Sequence, residues 1–222
     1  MTTLAFDIYG TLIDTCGVTG LLEQHIGSDK APSFALLWRD KQLEYSFRRA
    51  LMGAYAPFHV CTSDALAYCI DEFDVEISPQ QHAGLIECYL NLPVFDDVID
   101  CLETLSPRAD IQAFAFTNGT QGDVETLITN AGIHRHFKAI ISVDEIKTFK
   151  PDPAVYQYLL DRSGADKKDC WLISGNNFDV IGATVFGMNS VWLKRSQQQH
   201  MDPWGVQATH TIRSLAELGA LL

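Results

Sequence analysis

The first stretch able to do chemistry is Phe6-Asp7-Ile8-Tyr9-Gly10-Thr11. Leu4-Ala5-Phe6 reads as a short buried strand, and Asp7 closes it with a carboxylate just ahead of the chain-breaking Gly10. Open α/β sheets hold their ligands at the carboxyl ends of parallel strands, which is where this places Asp7. Three later segments supply partners: Thr117-Asn118-Gly119, Lys150-Pro151-Asp152 and Ser174-Gly175-Asn176-Asn177-Phe178-Asp179. Each also has an ordinary structural explanation. Asp7 could start a turn, Asn118-Gly119 is a common turn dipeptide, Lys150-Pro151 could be a solvated loop, and Asp179 could cap the following helix. Their joint placement at strand ends points instead to a single crevice.

The elements that must position these groups fall into two patterns. From residue 93 onward the chain alternates. Strands are predicted at Ile111 to Phe116, Ala139 to Val143, Cys170 to Ile173 and Ser190 to Leu193. Helices are predicted at Val94 to Leu105, Asp123 to Ala131, Ala154 to Arg162, Val180 to Phe186 and Ser214 to Leu222. Such alternation is the signature of an α/β fold with a doubly wound parallel sheet. Residues 14–92 break the pattern with consecutive helices: Pro32 to Met52, then Ala65 to Phe73 capped by Ser63-Asp64, then one opened by Ser78-Pro79. The expected organisation is a catalytic core of residues 1–13 and 93–222, with residues 14–92 inserted as a helical cap over the strand ends.

A chain of 222 residues suits one sizeable core carrying such an insertion. With 28 acidic and 16 basic residues its formal net charge is -12, which argues against nucleic acid or an anionic membrane as partner. A small anionic substrate is not excluded, because one well-placed Arg can dominate a cleft. The six cysteines are scattered without a CxxC pair, which fits a reducing compartment and offers no zinc cluster. The amino terminus lacks a basic leader, and no apolar run approaches the ~20 residues of a membrane span. A cytoplasmic location is expected.

The DxYGTL opening, the hydroxyl-Asn-Gly segment, the Lys-Pro-Asp loop and the SxNxxD segment together resemble the haloacid dehalogenase superfamily. Trp38-Arg39-Asp40-Lys41-Gln42-Leu43-Glu44-Tyr45 narrows the resemblance to the L-2-haloacid dehalogenases. It runs end to end and implies a Rossmann-like core, a helical cap, a homodimer, and hydrolysis of (S)-2-haloalkanoic acids to (R)-2-hydroxyalkanoic acids and halide through an aspartyl ester. No cofactor and no metal are implied. On this resemblance Asp7 is the nucleophile, and Arg39 stabilises the substrate carboxylate or the departing halide. Thr117 and Asn118, with the backbone N–H groups of Ile8 and Tyr9, hold the carboxylate. Thr11, Ser174 and Asn176 orient Asp7 and Asp179, Lys150 keeps Asp7 ionised, Tyr156 supports Lys150, and Asp179 helps activate water. Tyr9, Leu43, Phe58 and Phe178 form the apolar wall. A surface ion pair for Arg39, and core packing for Tyr156, Leu43 and Phe58, stay open as alternatives.

The residues separate dehalogenase from phosphatase on their own. Phosphatases of the superfamily need a second carboxylate two residues after the nucleophile, and carboxylates in the last motif to hold Mg²⁺. Here those places carry Tyr9 and Ser174-Gly175-Asn176, leaving only Asp179. A halide leaves without a proton, so the missing acid is no loss to a dehalogenase. Thr117 where Ser is usual, Phe178 where Trp is frequent, and Gly175 and Asn177 bear on substrate range more than on reaction type. A phosphatase of the same fold and a non-catalytic relative are the competing readings.

Overall fold

Leu4 and Phe6 face one side of the first strand and Ala5 the other, and this period-two alternation sets the layers of the molecule. The computed structural model describes residues 1–221. Strand β1 (Thr2–Asp7) is flanked by β2 (Ile111–Thr117) and β4 (Cys170–Ser174), in a six-stranded sheet ordered β3-β2-β1-β4-β5-β6. Strands β3, β5 and β6 are Ala139–Ser142, Asn189–Leu193 and His210–Ile212, and every pairing is parallel. Helices α5 (Val98–Leu105) and α6 (Gln121–Asn130) pack with Leu4 and Phe6, whereas α7 (Pro153–Ser163) and α8 (Asn177–Phe186) pack with Ala5. This is the doubly wound α/β architecture, with Asp7 at the carboxyl end of the strand that both halves share.

Between β1 and β2 lie α1 (Thr19–Ile26), α2 (Ala31–Leu51), α3 (Phe58–Glu72) and α4 (Pro79–Cys88). The chain enters and leaves this insertion through one bonded neck. Ile13 pairs with Val94 in an antiparallel bridge, Asp14 N–H donates to Pro93 O at 2.8 Å, and Phe95 N–H donates to Leu12 O at 3.0 Å. Arg195 braces the neck from the core, donating to Thr11 O at 2.7 Å and gripping both Asp97 oxygens at 2.7 and 2.8 Å.

Several boundaries differ from the sequence reading. Ser63 and Asp64 do not cap a helix: α3 starts at Phe58, directly after Pro57, whose extended conformation (ψ 150°) ends the preceding turn. Val94 belongs to the neck, and α5 starts at Val98. Helix α1 and the three-residue strand β6 have no counterpart in the sequence reading. The closing element is a 3₁₀ helix, Leu215–Ala220, with a Ser214–Glu217 capping box, and the last residue of the expected helix, Leu222, lies outside the described residues. Ser78 and Pro79 do open α4, through a capping box with Gln81.

Candidate active site

Asp7 is buried, and its two oxygens have different surroundings. Oδ2 accepts from Thr11 Oγ1 at 2.6 Å, Asn176 Nδ2 at 2.7 Å and Ser174 Oγ at 3.3 Å. Oδ1 accepts from Lys150 Nζ at 3.0 Å. These donors come from the loop after β1, the end of β4, the N-cap of α8 and the loop before α7, so the sheet's topology assembles them. Asn176 is the N-cap of α8, yet its side chain makes no capping bond; it spans Asp7 and Tyr9 O, the latter at 2.9 Å. Gly175 is required where these loops cross, since a Cβ there would sit 2.3 Å from Gly10 O.

Lys150 is fully buried between two carboxylates. Its ammonium donates to Asp7 Oδ1, to Asp179 Oδ2 at 2.9 Å and to Phe116 O at 2.9 Å, which uses all three of its protons. Burial disfavours the ammonium, but Asp179 and Asp7 outweigh it and hold the Lys150 pKa above the ordinary lysine value. Asp179 is shifted upward by its own complete burial, which Lys150 offsets only in part, with Asp7 adding to the rise. Tyr156 donates to Asp179 Oδ1 at 2.9 Å, and its own pKa is raised by burial and then by Asp179. Gly182 makes room for that phenol: a Cβ there would lie 2.3 Å from the Tyr156 hydroxyl.

Arg39 and Leu43 lie one turn apart on α2, so they share a helix face, and both line the small cavity above Asp7. Arg39 reaches Tyr9 O at 3.5 Å and Gln42 Oε1 at 3.3 Å. The rest of the lining is Tyr9, Phe58, Thr117, Asn118, Lys150, Asn176 and Phe178. Asn118 Oδ1 accepts from Lys150 N–H at 2.9 Å, which ties the Asn-Gly turn to the lysine loop. Thr117 Oγ1 accepts from Gly119 N–H at 3.0 Å. Phe178 stands edge-on to Phe47 of α2 at 5.2 Å between ring centroids, joining core and insertion. Leu43 and Phe58 line the cavity and also pack in the small cluster around Phe149, so both readings of them describe the structure. Burial, then Asp123, raises the Tyr9 pKa, so its phenol is neutral at working pH.

The residues singled out in the sequence therefore divide. Asp7, Tyr9, Arg39, Leu43, Phe58, Thr117, Asn118, Lys150, Asn176 and Phe178 face the cavity. Thr11, Ser174, Tyr156 and Asp179 stand behind Asp7 and Lys150 and are almost wholly buried. The Ile8 side chain is in the main core, so only its backbone is available to a ligand. One expectation needs correcting: Thr11, Ser174 and Asn176 direct their hydrogen bonds to Asp7, and the side chains that bond the Asp179 carboxylate are Lys150 and Tyr156. Residues missed from sequence include Gln42, which is fully buried and donates to the Tyr89 hydroxyl at 2.6 Å while accepting from Arg39. Its spacing of three from Arg39 was the available signal.

An open parallel sheet with a helical insertion between its first two paired strands, and an aspartate at the end of the first, defines a class of hydrolases. Residues 1–187 match the family model described as haloacid dehalogenase-like hydrolase, and the chain belongs to that family. Among its relatives, the (S)-2-haloacid dehalogenase of Pseudomonas fluorescens is 34% identical over 213 residues, 96% of this chain and 92% of that protein. Haloacetate dehalogenase H-2 of Moraxella sp. (strain B) is 33% identical over 192 residues, 86% of this chain and 85% of that one. The solved L-2-haloacid dehalogenase of Xanthobacter autotrophicus with chloropropionic acid covalently bound superposes with a TM-score of 0.92 at 29% identity, covering 100% of this chain and 98% of that one.

Proposed function

We propose that the protein is an (S)-2-haloacid dehalogenase that opens the carbon–halogen bond by direct attack of Asp7. The observation that carries this reading is the unequal bonding of the Asp7 carboxylate. Three donors hold Oδ2, whereas among the described residues Oδ1 accepts from Lys150 alone and keeps a lone pair for the halogen-bearing carbon. In-line displacement forms the Asp7 ester, expels halide and inverts the carbon. Water then attacks the ester carbonyl, releasing the (R)-2-hydroxy acid and restoring the carboxylate. Asp179, bonded to the Lys150 ammonium behind the cavity, is the carboxylate that helps activate that water once Asp7 is esterified. The substrate carboxylate is placed against Arg39, Asn118 and the backbone at Ile8 and Tyr9.

Two measurements check this assignment. Arg39→Lys replaces a planar fork with a point charge and is expected to cost about 1–3 kcal/mol in kcat/KM for chloroacetate. Activity within about twofold of the parent would put Arg39 outside the site. Turnover is also expected to survive exhaustive chelation. The position between Asp7 and Asp179 is filled by the Lys150 ammonium, and no three His, Cys, Asp or Glu side chains come together among the described residues. A loss with EDTA that Mg²⁺ restores would revive the phosphatase reading.

We further propose a division into residues 1–13 and 93–222 as core and 14–92 as cap, and a homodimeric, cytoplasmic enzyme. The six cysteines are all unpaired, and no helix among the described residues is long and apolar enough to cross a membrane. Leu51, Val185 and Trp204 stand exposed around one broad apolar groove, a surface of the kind a second copy would cover.

A further inference from the structure

Two cations line the cavity above Asp7, and only one of them is paired with acids. Lys150 is held between Asp7 and Asp179. Arg39 bonds instead to two neutral oxygens, Gln42 Oε1 at 3.3 Å and Tyr9 O at 3.5 Å, and among the described residues no carboxylate forms an ion pair with it. Arg195, also half-buried, shows the contrast, for it grips both oxygens of Asp97. In a chain of formal net charge -12, an anionic substrate depends on a local cation whose charge is not already spent. What aims the Arg39 guanidinium is therefore an amide.

Gln42 is fully buried and does not line the cavity, so it acts through Arg39. A guanidinium can only donate, so Oε1 faces Arg39 and Nε2 is left to find an acceptor. The Tyr89 hydroxyl takes it at 2.6 Å. Burial pushes the Tyr89 pKa up to about 12, which keeps that phenol neutral. Tyr89 ends α4 and packs edge-on against Trp38 at 5.1 Å, and Trp38 Nε1 donates to Thr62 O of α3 at 2.9 Å. Three helices of the insertion thus fix the amide. An apolar side chain would pack there without the desolvation cost of an amide. A glutamate of the same shape would close a charge-assisted pair with Arg39 and compete with an incoming carboxylate. We propose that Gln42, backed by Tyr89, is a positioning residue for substrate capture: it aims Arg39 while leaving the guanidinium charge to the haloacid carboxylate. The proposal rests on the dehalogenase reading and deepens it at the binding step.

The test measures kcat and KM for chloroacetate, the inhibition constant of its product glycolate, and the melting temperature, in the parent, Gln42→Glu and Gln42→Met. Gln42→Glu is expected to raise KM and the glycolate constant together by about tenfold or more, the scale of one charge-assisted hydrogen bond. Its kcat is expected to stay within about threefold of the parent, because binding shared by ground and transition states acts on KM. Its melting temperature should not fall, since the new carboxylate is paired. Gln42→Met removes the acceptor without adding charge and is expected to raise both constants by less. A packing role alone would move the melting temperature and leave both constants unchanged. KM within about twofold of the parent in Gln42→Glu would overturn the proposal, and so would a Gln42→Met as impaired as Gln42→Glu. Should Gln42→Glu not fold, Tyr89→Phe decides: it frees the amide from its acceptor and is expected to raise KM, and an unchanged KM overturns the proposal. A parent that releases no halide would instead sink the dehalogenase reading and this proposal with it, a result distinct from a working parent whose KM the variants leave alone.

Discussion

Asp7→Asn is expected to lower halide release from chloroacetate by about 10⁴-fold or more, the scale on which enzymes lose rate when their nucleophile is removed. The amide keeps the shape and can still present an oxygen to Thr11, Asn176 and Ser174, which all donate to Oδ2. What it cannot present is an anion at Oδ1, and its NH₂ would face the Lys150 ammonium, donor against donor. The loss should therefore fall on chemistry, with the far-ultraviolet spectrum of the parent retained. The companion experiment follows oxygen. In one turnover with enzyme in excess in ¹⁸O-water, label is expected in the peptide containing Asp7, because water attacks the ester carbonyl and the product takes its oxygen from the original carboxylate. The competing route has Asp179 activate water to strike the substrate carbon directly. Both routes invert the centre, so stereochemistry cannot choose between them. Label in the hydroxy acid after that turnover, with none in the Asp7 peptide, would exclude the covalent route.

Lys150→Met is the second large effect. It leaves the Asp7 and Asp179 carboxylates buried together with no cation between them, and breaking a buried ion pair from one side typically costs about 3–5 kcal/mol. Turnover is expected to fall by about 10³-fold or more, since a carboxylate that must share a proton with its neighbour is a poor nucleophile. The pH dependence has a definite sign. In the parent, the raised Lys150 pKa contributes stability below the ordinary lysine value, lost only as pH rises through the raised one. In the variant, repulsion adds to the burial that already raises Asp179. The folded state then binds more protons than the unfolded state above the ordinary carboxylate range, so stability falls as pH rises. The difference in melting temperature between parent and variant should accordingly widen from pH 5 to pH 8. A difference equal at both pH values would mean that Lys150 does not hold the two acids together.

Much of the site could be read from the chain because its groups sit at strand ends, and strand ends are legible as apolar runs stopped by polar or breaking residues. Asp7, Asn118 and Ser174 were found that way, although Ser174 and Asp7 are 167 positions apart. What stayed hidden depends on contacts without local pattern. Arg195 braces the neck through a backbone oxygen and Asp97, neither of which marks the sequence around it. Gly182 looks like any helical glycine until the Tyr156 hydroxyl is placed beside it. Strand β6 is three residues long and pairs only at the sheet's edge, too short for alternation to show. Ser63-Asp64 is a good capping signal and points to a start of α3 at Ala65, whereas the helix starts at Phe58 through Pro57 and the burial of Phe58.

The place of β1 in the sheet also has a consequence for how the chain matures. It precedes both of its sheet neighbours in the chain and is central in the finished sheet, for its residues pair with Ile111 to Phe116 and Cys170 to Ile173. Its neighbours therefore emerge from the ribosome only after the whole helical insertion, and the second of them later still. Until then Leu4, Ala5 and Phe6 are an apolar strand with no partner, the kind of exposed edge that chaperones hold and that aggregates at high expression. Contacts this distant in sequence also slow the search for the native pairing. A nascent chain arrested before about residue 111 should thus leave Leu4, Ala5 and Phe6 unpaired and open to protease, and one arrested before about residue 170 should still lack the β4 side of the sheet. The catalytic pocket is complete only once β4 docks and brings Ser174 and Asn176 to Asp7.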